Sequence, residues 1–119
     1  MDFDLAHTDR LLTTTRAVRK RLDLTRPVPR QLILDCVRIS TQGPAGGNHQ
    51  KWLWVIVDDP DKKEVIADAY RRTYAPYIEQ QQRAVERAGN QGEKNAIIDS
   101  SMHLADVLQD VPVLAIPCA

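Results

Sequence analysis

The sequence predicts a domain that combines helices with buried strands, in an α/β or α+β arrangement. Two short apolar strands, at 52–57 and 113–116, are separated by long stretches with helical periodicity. The strand at 52–57 is apolar on both faces, which is typical of a central strand covered by helices on both sides. Because two such strands do not complete a sheet, the 119 residues are expected to form the first part of a larger domain.

Two helices are predicted before the first strand. Residues 3–15 form a short helix with partial apolar periodicity. Pro29 stands where the first residue of a helix is favoured. The apolar stripe that follows is at helical spacing and consists of Leu32, Ile33, Cys36, Val37 and Ile39. Gly43-Pro44 ends this helix, and Cys36 is expected to lie in the core.

Two further helices are predicted between the strands. Asp59 is a helix N-cap followed by proline, so a helical region begins near residue 60 and extends to about 88. Pro76 should kink or break it, and the polar segment 77–88 is expected to be solvated. A loop at 88–92 leads to a helix at about 94–109. Its spacing predicts an inner face formed by Ile97, Ile98, Ser101, Met102, Leu104, Ala105 and Leu108. As a candidate catalytic group, the Ser100-Ser101 pair has no acid partner and is expected to be helix surface. Cys118, after the second strand, is expected to be buried.

Composition excludes several classes of function. Lys and Arg together count 16, as do Asp and Glu, so the net charge is zero, which argues against nucleic-acid or membrane binding. No apolar run is long enough to span a membrane, and the acidic N-terminus does not resemble a signal peptide. Two cysteines do not make a disulfide framework, so a cytoplasmic setting is expected. The three histidines are scattered and predict no metal site.

A basic segment, Arg16-Ala17-Val18-Arg19-Lys20-Arg21, is the first candidate for ligand binding. If the first helix continues through it, Arg16 and Arg19 share one face and can hold a phosphate through charge-assisted hydrogen bonds. The alternative is a solvated helix end, where arginines complement the helix dipole. Binding of nucleic acid through residues 16–21 is a third hypothesis, and it predicts a steep salt dependence.

The second candidate is the glycine-rich loop 43–51, which leads directly into the first strand. It is not a P-loop, because Lys51 is followed by Trp52 and the loop precedes a strand. The amides of Asn48 and Gln50 both donate and accept hydrogen bonds, which suits the edge of a heterocycle or a ribityl hydroxyl. The alternative is a helix-to-strand turn in which Asn48 caps backbone groups. No catalytic dyad or triad is evident.

Together the two segments resemble the FMN-dependent nitroreductase family. Thr15-Arg16-Ala17-Val18-Arg19 is similar to its N-terminal arginine motif, and Pro44-Ala45-Gly46-Gly47-Asn48-His49-Gln50-Lys51-Trp52 is similar to its loop that feeds a strand. The resemblance covers the whole chain, residues 1–119, as the N-terminal portion of a single domain. It implies a truncated α+β fold with a central mixed sheet flanked by helices, in an intertwined homodimer with FMN at the interface.

The resemblance also implies roles for individual residues. Arg16 and Arg19 would hold the FMN phosphate, and Ala17 stands where the family often has Ser, so one phosphate hydrogen bond is lost or moves to the backbone. The loop residues beside the flavin would be Pro44, Ala45, Gly46, Asn48 and Gln50, with part of the loop serving the partner's cofactor. The implied reaction moves a hydride from NAD(P)H through the flavin to a nitroaromatic, a quinone or a similar oxidant. The alternative is a non-catalytic flavin-binding or interaction module.

Overall fold

The computed structural model describes residues 3–89 and 92–118. It contains four helices and two strands in these residues: α1 (Leu5–Thr14), α2 (Arg30–Ser40), β1 (Leu53–Val57), α3 (Pro60–Ala88), α4 (Gly92–Val107) and β2 (Leu114–Cys118). Short 3-10 turns lie at Gly46–Asn48 and Leu108–Asp110, ahead of the two strands. The order of elements follows the order predicted from the sequence, and helices combined with a small antiparallel sheet form an α+β architecture.

β1 and β2 form an antiparallel pair in which Val55 lies opposite Ile116. The expectation that β1 is covered on both faces is wrong for the described residues. The side chain of Leu53 is 61% exposed and that of Val55 is 44% exposed, whereas Val57 is buried. Only the end of β1 that leads into α3 is covered by neighbouring residues, because covering both faces requires more packed layers than this pair of strands has.

Local sequence signals account for both ends of α3. The Asp59 carboxylate accepts a 3.0 Å hydrogen bond from the backbone N–H of Lys62, and Pro60 occupies the first turn. Gly89 ends the helix in a left-handed conformation, with φ of 64°. The helix continues through Pro76, so the predicted break is wrong. The lost hydrogen bond at Pro76 is tolerated because buried residues anchor the helix on both sides.

The core between α3 and α4 consists of Ile78, Val85 and Ile98, with Tyr74 packed against it. The predicted inner face of α4 is confirmed for Ile98, Ser101 and Ala105, which are buried, and is wrong for Ile97 and Met102, which are exposed. The burial of Ser101 contradicts the expectation that the Ser100-Ser101 pair lies at the helix surface. The expectation that the whole segment 77–88 is solvated is wrong, because Ile78 and Val85 are buried there. Ile78 and Val85 are seven residues apart, so they lie on one face of α3, although most residues around them in the sequence are polar.

The first two helices contribute no fully buried residue. Cys36 is exposed rather than in the core, since the apolar stripe of α2 is only partly covered. Cys118, also expected to be buried, is half-buried. No helix in the described residues is long and apolar enough to cross a membrane.

Candidate functional site

Arg16 lies just beyond the C-terminus of α1. The helix ends at Thr14, and Thr15 is extended, with φ of −61° and ψ of 130°. The guanidinium Nη1 of Arg16 donates to the carbonyl oxygens of Thr13 at 3.0 Å and of Thr15 at 2.8 Å. Arg16 and Arg19 therefore do not share a face of α1, and Arg16 adopts the alternative role of satisfying carbonyls at the helix end. These bonds engage two of the five N–H donors of a guanidinium.

Arg19 is half-buried and lies within electrostatic reach of α3. Burial raises the pKa of Tyr70, the neighbouring Tyr74 raises it further, and the positive charge of Arg19 opposes the rise. In the described part of the chain the ion pairs involve Arg38, Arg71 and Arg83. Neither Arg16 nor Arg19 is neutralised by a carboxylate there, so both charges remain available to an anion.

The loop after α2 is held in an unusual backbone conformation. Gly47, Asn48 and Gln50 have positive φ angles of 59°, 54° and 51°. The N–H of Asn48 donates to the carbonyl of Ala45 at 2.9 Å, which closes a tight turn. Left-handed conformations are rare for residues other than glycine and tolerable for asparagine. The backbone angles and this hydrogen bond therefore give the side chains of Asn48 and Gln50 defined orientations.

Side-chain hydrogen bonds connect the end of this loop. The Gln50 amide nitrogen donates to the Asn48 side-chain oxygen at 2.7 Å, and the Trp52 indole nitrogen donates to the Gln50 side-chain oxygen at 2.9 Å. The two amides that the sequence singled out as ligand-binding candidates are therefore bonded to each other. Trp52 was assigned to the start of the first strand and was given no role in the site, although it stands two residues after Gln50.

The loop surface is open to a planar ligand. Pro44, Gly46, Asn48 and Gln50 are exposed, and Ala45 is half-buried. A Cβ added at Gly46 would meet no atom within 4 Å. Exposed amides beside accessible backbone suit the polar edge of a heterocycle, and unpaired arginines suit a phosphate. The donor set of the predicted residues therefore fits FMN.

The two candidate segments share no hydrogen bond in residues 3–89 and 92–118: Arg16 bonds to carbonyls at the end of α1, and Asn48 and Gln50 bond within the loop 43–51. Ala17, between the arginines, is exposed. We refer to the arginine segment and the amide loop as the two candidate half-sites. No group of three or more His, Cys, Asp or Glu side chains suitable for a metal was found within these residues.

The structure also has a cavity that the sequence analysis missed. It lies between α3 and α4, has a volume of about 230 Å³, and is lined by residues that include Tyr74, Tyr77, Ile78, Val85, Ile98 and Ser101. The rings of Tyr74 and Tyr77 lie 5.7 Å apart, and Tyr74 stacks on Tyr70 at 5.1 Å. The spacing of Tyr70, Tyr74 and Tyr77 in the sequence places all three along one side of a helix and could have indicated this aromatic cluster.

Comparison with known proteins identifies the family. The profile of the Nitroreductase family matches residues 12–117, a range that includes both arginines, the loop, β1 and all of β2 except its last residue, Cys118. The chain belongs to the nitroreductase family. An iodotyrosine deiodinase from Nematostella vectensis is 34% identical over 64 residues, which is 50% of this chain and 24% of that protein. The chain therefore aligns with about a quarter of that relative's length. No solved structure matches the chain significantly.

Flavin-dependent oxidoreductases are typical of this family. Family members generally bind a flavin, FMN, and are typically homodimers. The resemblance read from the two sequence motifs is thereby confirmed at the level of the family. Both motifs lie inside the matched range.

Proposed function

We propose that this chain is the flavin-binding, N-terminal part of an FMN-dependent oxidoreductase of the nitroreductase type. The observation that carries the proposal is the pair of unneutralised arginines together with an exposed amide loop of fixed conformation, inside the family match. Bound FMN supplies hydride acceptance and donation, with NAD(P)H as reductant and a nitroaromatic, quinone or similar compound as oxidant.

Each half-site has a separate task. Arg16 and Arg19 bind the phosphate, with the exposed backbone at Ala17 available beside them. Pro44, Ala45 and Gly46 lie against the ring system, where low side-chain bulk allows close approach. Asn48 and Gln50 orient the ligand through their amides. No side chain of this chain is required as a general acid or base.

A homodimer would give the two half-sites a way to combine. If the loop of one chain meets the arginines of its partner, the two half-sites combine across an interface, and the exposed apolar face of β1 gains a cover. Residues 1–119 would then form part of a domain that further strands complete. The free thiols of Cys36 and Cys118 support a reducing, cytoplasmic setting.

The likeness to an iodotyrosine deiodinase suggests a second class of oxidant. Its name indicates removal of iodine from iodotyrosine, and a halogenated phenol is a planar aromatic comparable in shape to a nitroaromatic. Halophenols therefore belong in any screen of acceptors for this chain, beside nitroaromatics and quinones.

The test is a titration of the purified chain with FMN and, as a matched ligand, with riboflavin, which lacks the phosphate. We expect a protein-bound visible flavin spectrum with both ligands. Arg16→Ala and Arg19→Ala should each weaken FMN binding about tenfold or more, since charge-assisted hydrogen bonds are lost. The same variants should leave riboflavin binding unchanged.

Arg26→Ala, at an exposed position outside both half-sites, is the matched control and should bind FMN normally. A chain that binds neither ligand would contradict the proposal. If FMN binds but neither NADH nor NADPH is oxidised in the presence of any acceptor, the chain is a flavin-binding module rather than an enzyme.

A further inference from the structure

The loop that precedes β1 ends in a directed chain of three side-chain groups. The Trp52 indole N–H donates to Gln50 Oε1 at 2.9 Å, and Gln50 Nε2 donates to Asn48 Oδ1 at 2.7 Å. Each residue is separated from the next by two positions. We call these three residues the amide relay.

The chemistry of the indole fixes the direction of the whole relay. An indole nitrogen donates a hydrogen bond and cannot accept one. The Gln50 amide must therefore turn its oxygen toward Trp52, which leaves its nitrogen facing Asn48. Because that nitrogen only donates, the oxygen of Asn48 faces it. The relay therefore ends at Asn48 Nδ2, whose N–H groups can donate hydrogen bonds to a ligand outside the loop.

The indole ring also connects the two ends of the loop. A Cβ added at Gly43, where the loop begins, would lie 3.8 Å from the Cη2 atom of Trp52. Trp52 is 40% exposed, so part of its ring is covered by the loop. One side chain thus packs beside the first glycine of the loop and orients the amide at its far end. A phenylalanine at position 52 could pack beside Gly43, but it could not donate a hydrogen bond to Gln50.

We propose that Trp52 is a positioning residue that acts through Gln50 to hold Asn48 as a hydrogen-bond donor toward an acceptor atom on the flavin ring, a carbonyl oxygen or an unprotonated ring nitrogen. The inference rests on the proposed function and adds the polarity of the contact. The left-handed conformations of Asn48 and Gln50 belong to the backbone geometry in which the three side chains of the relay meet.

The central test is Trp52→Phe, which keeps an aromatic ring and removes the donor. We expect binding of FMN and of riboflavin to weaken equally, by about three- to tenfold, as for the loss of one hydrogen bond at a ligand. The equal effect distinguishes a ring contact from the phosphate contacts of Arg16 and Arg19. The visible spectrum of the bound flavin should shift, which a change in protein stability alone would not produce. Trp54→Phe, at the neighbouring tryptophan, is the matched control.

A second variant tests whether Trp52 acts through Asn48. Asn48→Asp keeps an oxygen that accepts from Gln50 and removes the outward donor. It should weaken flavin binding by at least as much as Trp52→Phe. The double variant should bind no more weakly than Asn48→Asp alone, because residues that act in series are not additive.

The outcomes separate this inference from the proposed function. If the unmodified chain binds neither FMN nor riboflavin, the proposed function fails and the inference fails with it. If the unmodified chain binds flavin and Trp52→Phe binds it equally well with an unchanged spectrum, the inference alone is overturned. Strict additivity of the two substitutions would also overturn it.

Discussion

The ammonium group of Lys63 donates a 2.7 Å hydrogen bond to the backbone carbonyl of Val111. Lys63 lies in the first turn of α3, and its side chain is buried, with 7% of the residue exposed. Val111 is the residue at which the turn before β2 ends. Because α3 follows β1 directly, this one bond links the exit from the first strand to the entry of the second. It therefore helps to set the register of the sheet.

Removal of this bond should destabilise the fold. Lys63→Met keeps most of the length of the side chain and removes the charge, which leaves a buried carbonyl without its donor. We expect a loss of about 2 kcal/mol in the free energy of unfolding, as for a buried hydrogen bond to a charged group. Lys62→Met, at the exposed neighbour, is the control. Equal urea midpoints for the two variants would contradict this role.

Contacts of this kind show why only part of the fold was predictable. Asp59 and Pro60 predicted the start of α3 correctly, because a cap acts within one turn of the chain. The burial of Lys63 depends on Val111, which is distant in sequence, and no local pattern encodes it. Pro76 shows the same limit, since tertiary packing overrode a strong local signal.

In the candidate site, too, features set by local sequence were predictable and features that depend on side-chain placement were not. The glycine-rich loop was predictable from Gly46 and Gly47, but the hydrogen bond between the side chains of Asn48 and Gln50 was not, because it depends on the backbone angles of the loop. The role of Trp52 was not, since it depends on where the indole points. For Arg16, the sequence left three hypotheses open, and the end of α1 at Thr14 rules out only the geometry in which Arg16 and Arg19 share a face of a continuing helix.

Two adjacent glycines in the loop should respond differently to the same substitution. Gly47 has φ of 59°, and a Cβ there would lie 2.9 Å from the His49 ring. Gly47→Ala should cost about 1 kcal/mol of stability, mainly through the left-handed backbone, because the His49 ring can move aside. Gly46→Ala has free space and an ordinary φ, so thermal unfolding should be unchanged or slightly higher. Equal unfolding temperatures for both variants would contradict the loop geometry.

The core between α3 and α4 can be tested with two neighbouring isoleucines. Ile98 is 8% exposed and Ile97 is 54% exposed. Ile98→Ala should lower the free energy of unfolding by about 2–4 kcal/mol, because it leaves a cavity beside Ile78 and Val85. Ile97→Ala should change it by less than about 0.5 kcal/mol. Chemical denaturation measures both, and a larger loss for Ile97→Ala would show that α4 presents the other face to the core.

The proximity of Arg19 to Tyr70 gives a prediction about titration. Burial is the main cause that raises the pKa of Tyr70, and the neighbouring Tyr74 raises it further. The positive charge of Arg19 lowers this pKa. Arg19→Ala should therefore raise the pKa of Tyr70 further, whereas Arg21→Ala should leave it unchanged. A raised pKa means that the fold favours the neutral phenol, so this contribution to stability is present below the ordinary pKa of tyrosine and is lost as the pH rises through the raised value.

Binding of the FMN phosphate at Arg19 should raise the pKa of Tyr70, as the substitution Arg19→Ala does. The added negative charge offsets the charge of Arg19 and makes the phenolate of Tyr70 harder to form. The ring resonances of Tyr70, assigned by comparison with Tyr70→Phe, can be followed by NMR against pH with and without FMN. A rise in the pKa with FMN, absent with riboflavin, would connect the arginine half-site to the phosphate. A pKa that is unaffected by saturating FMN would show that the phosphate binds elsewhere.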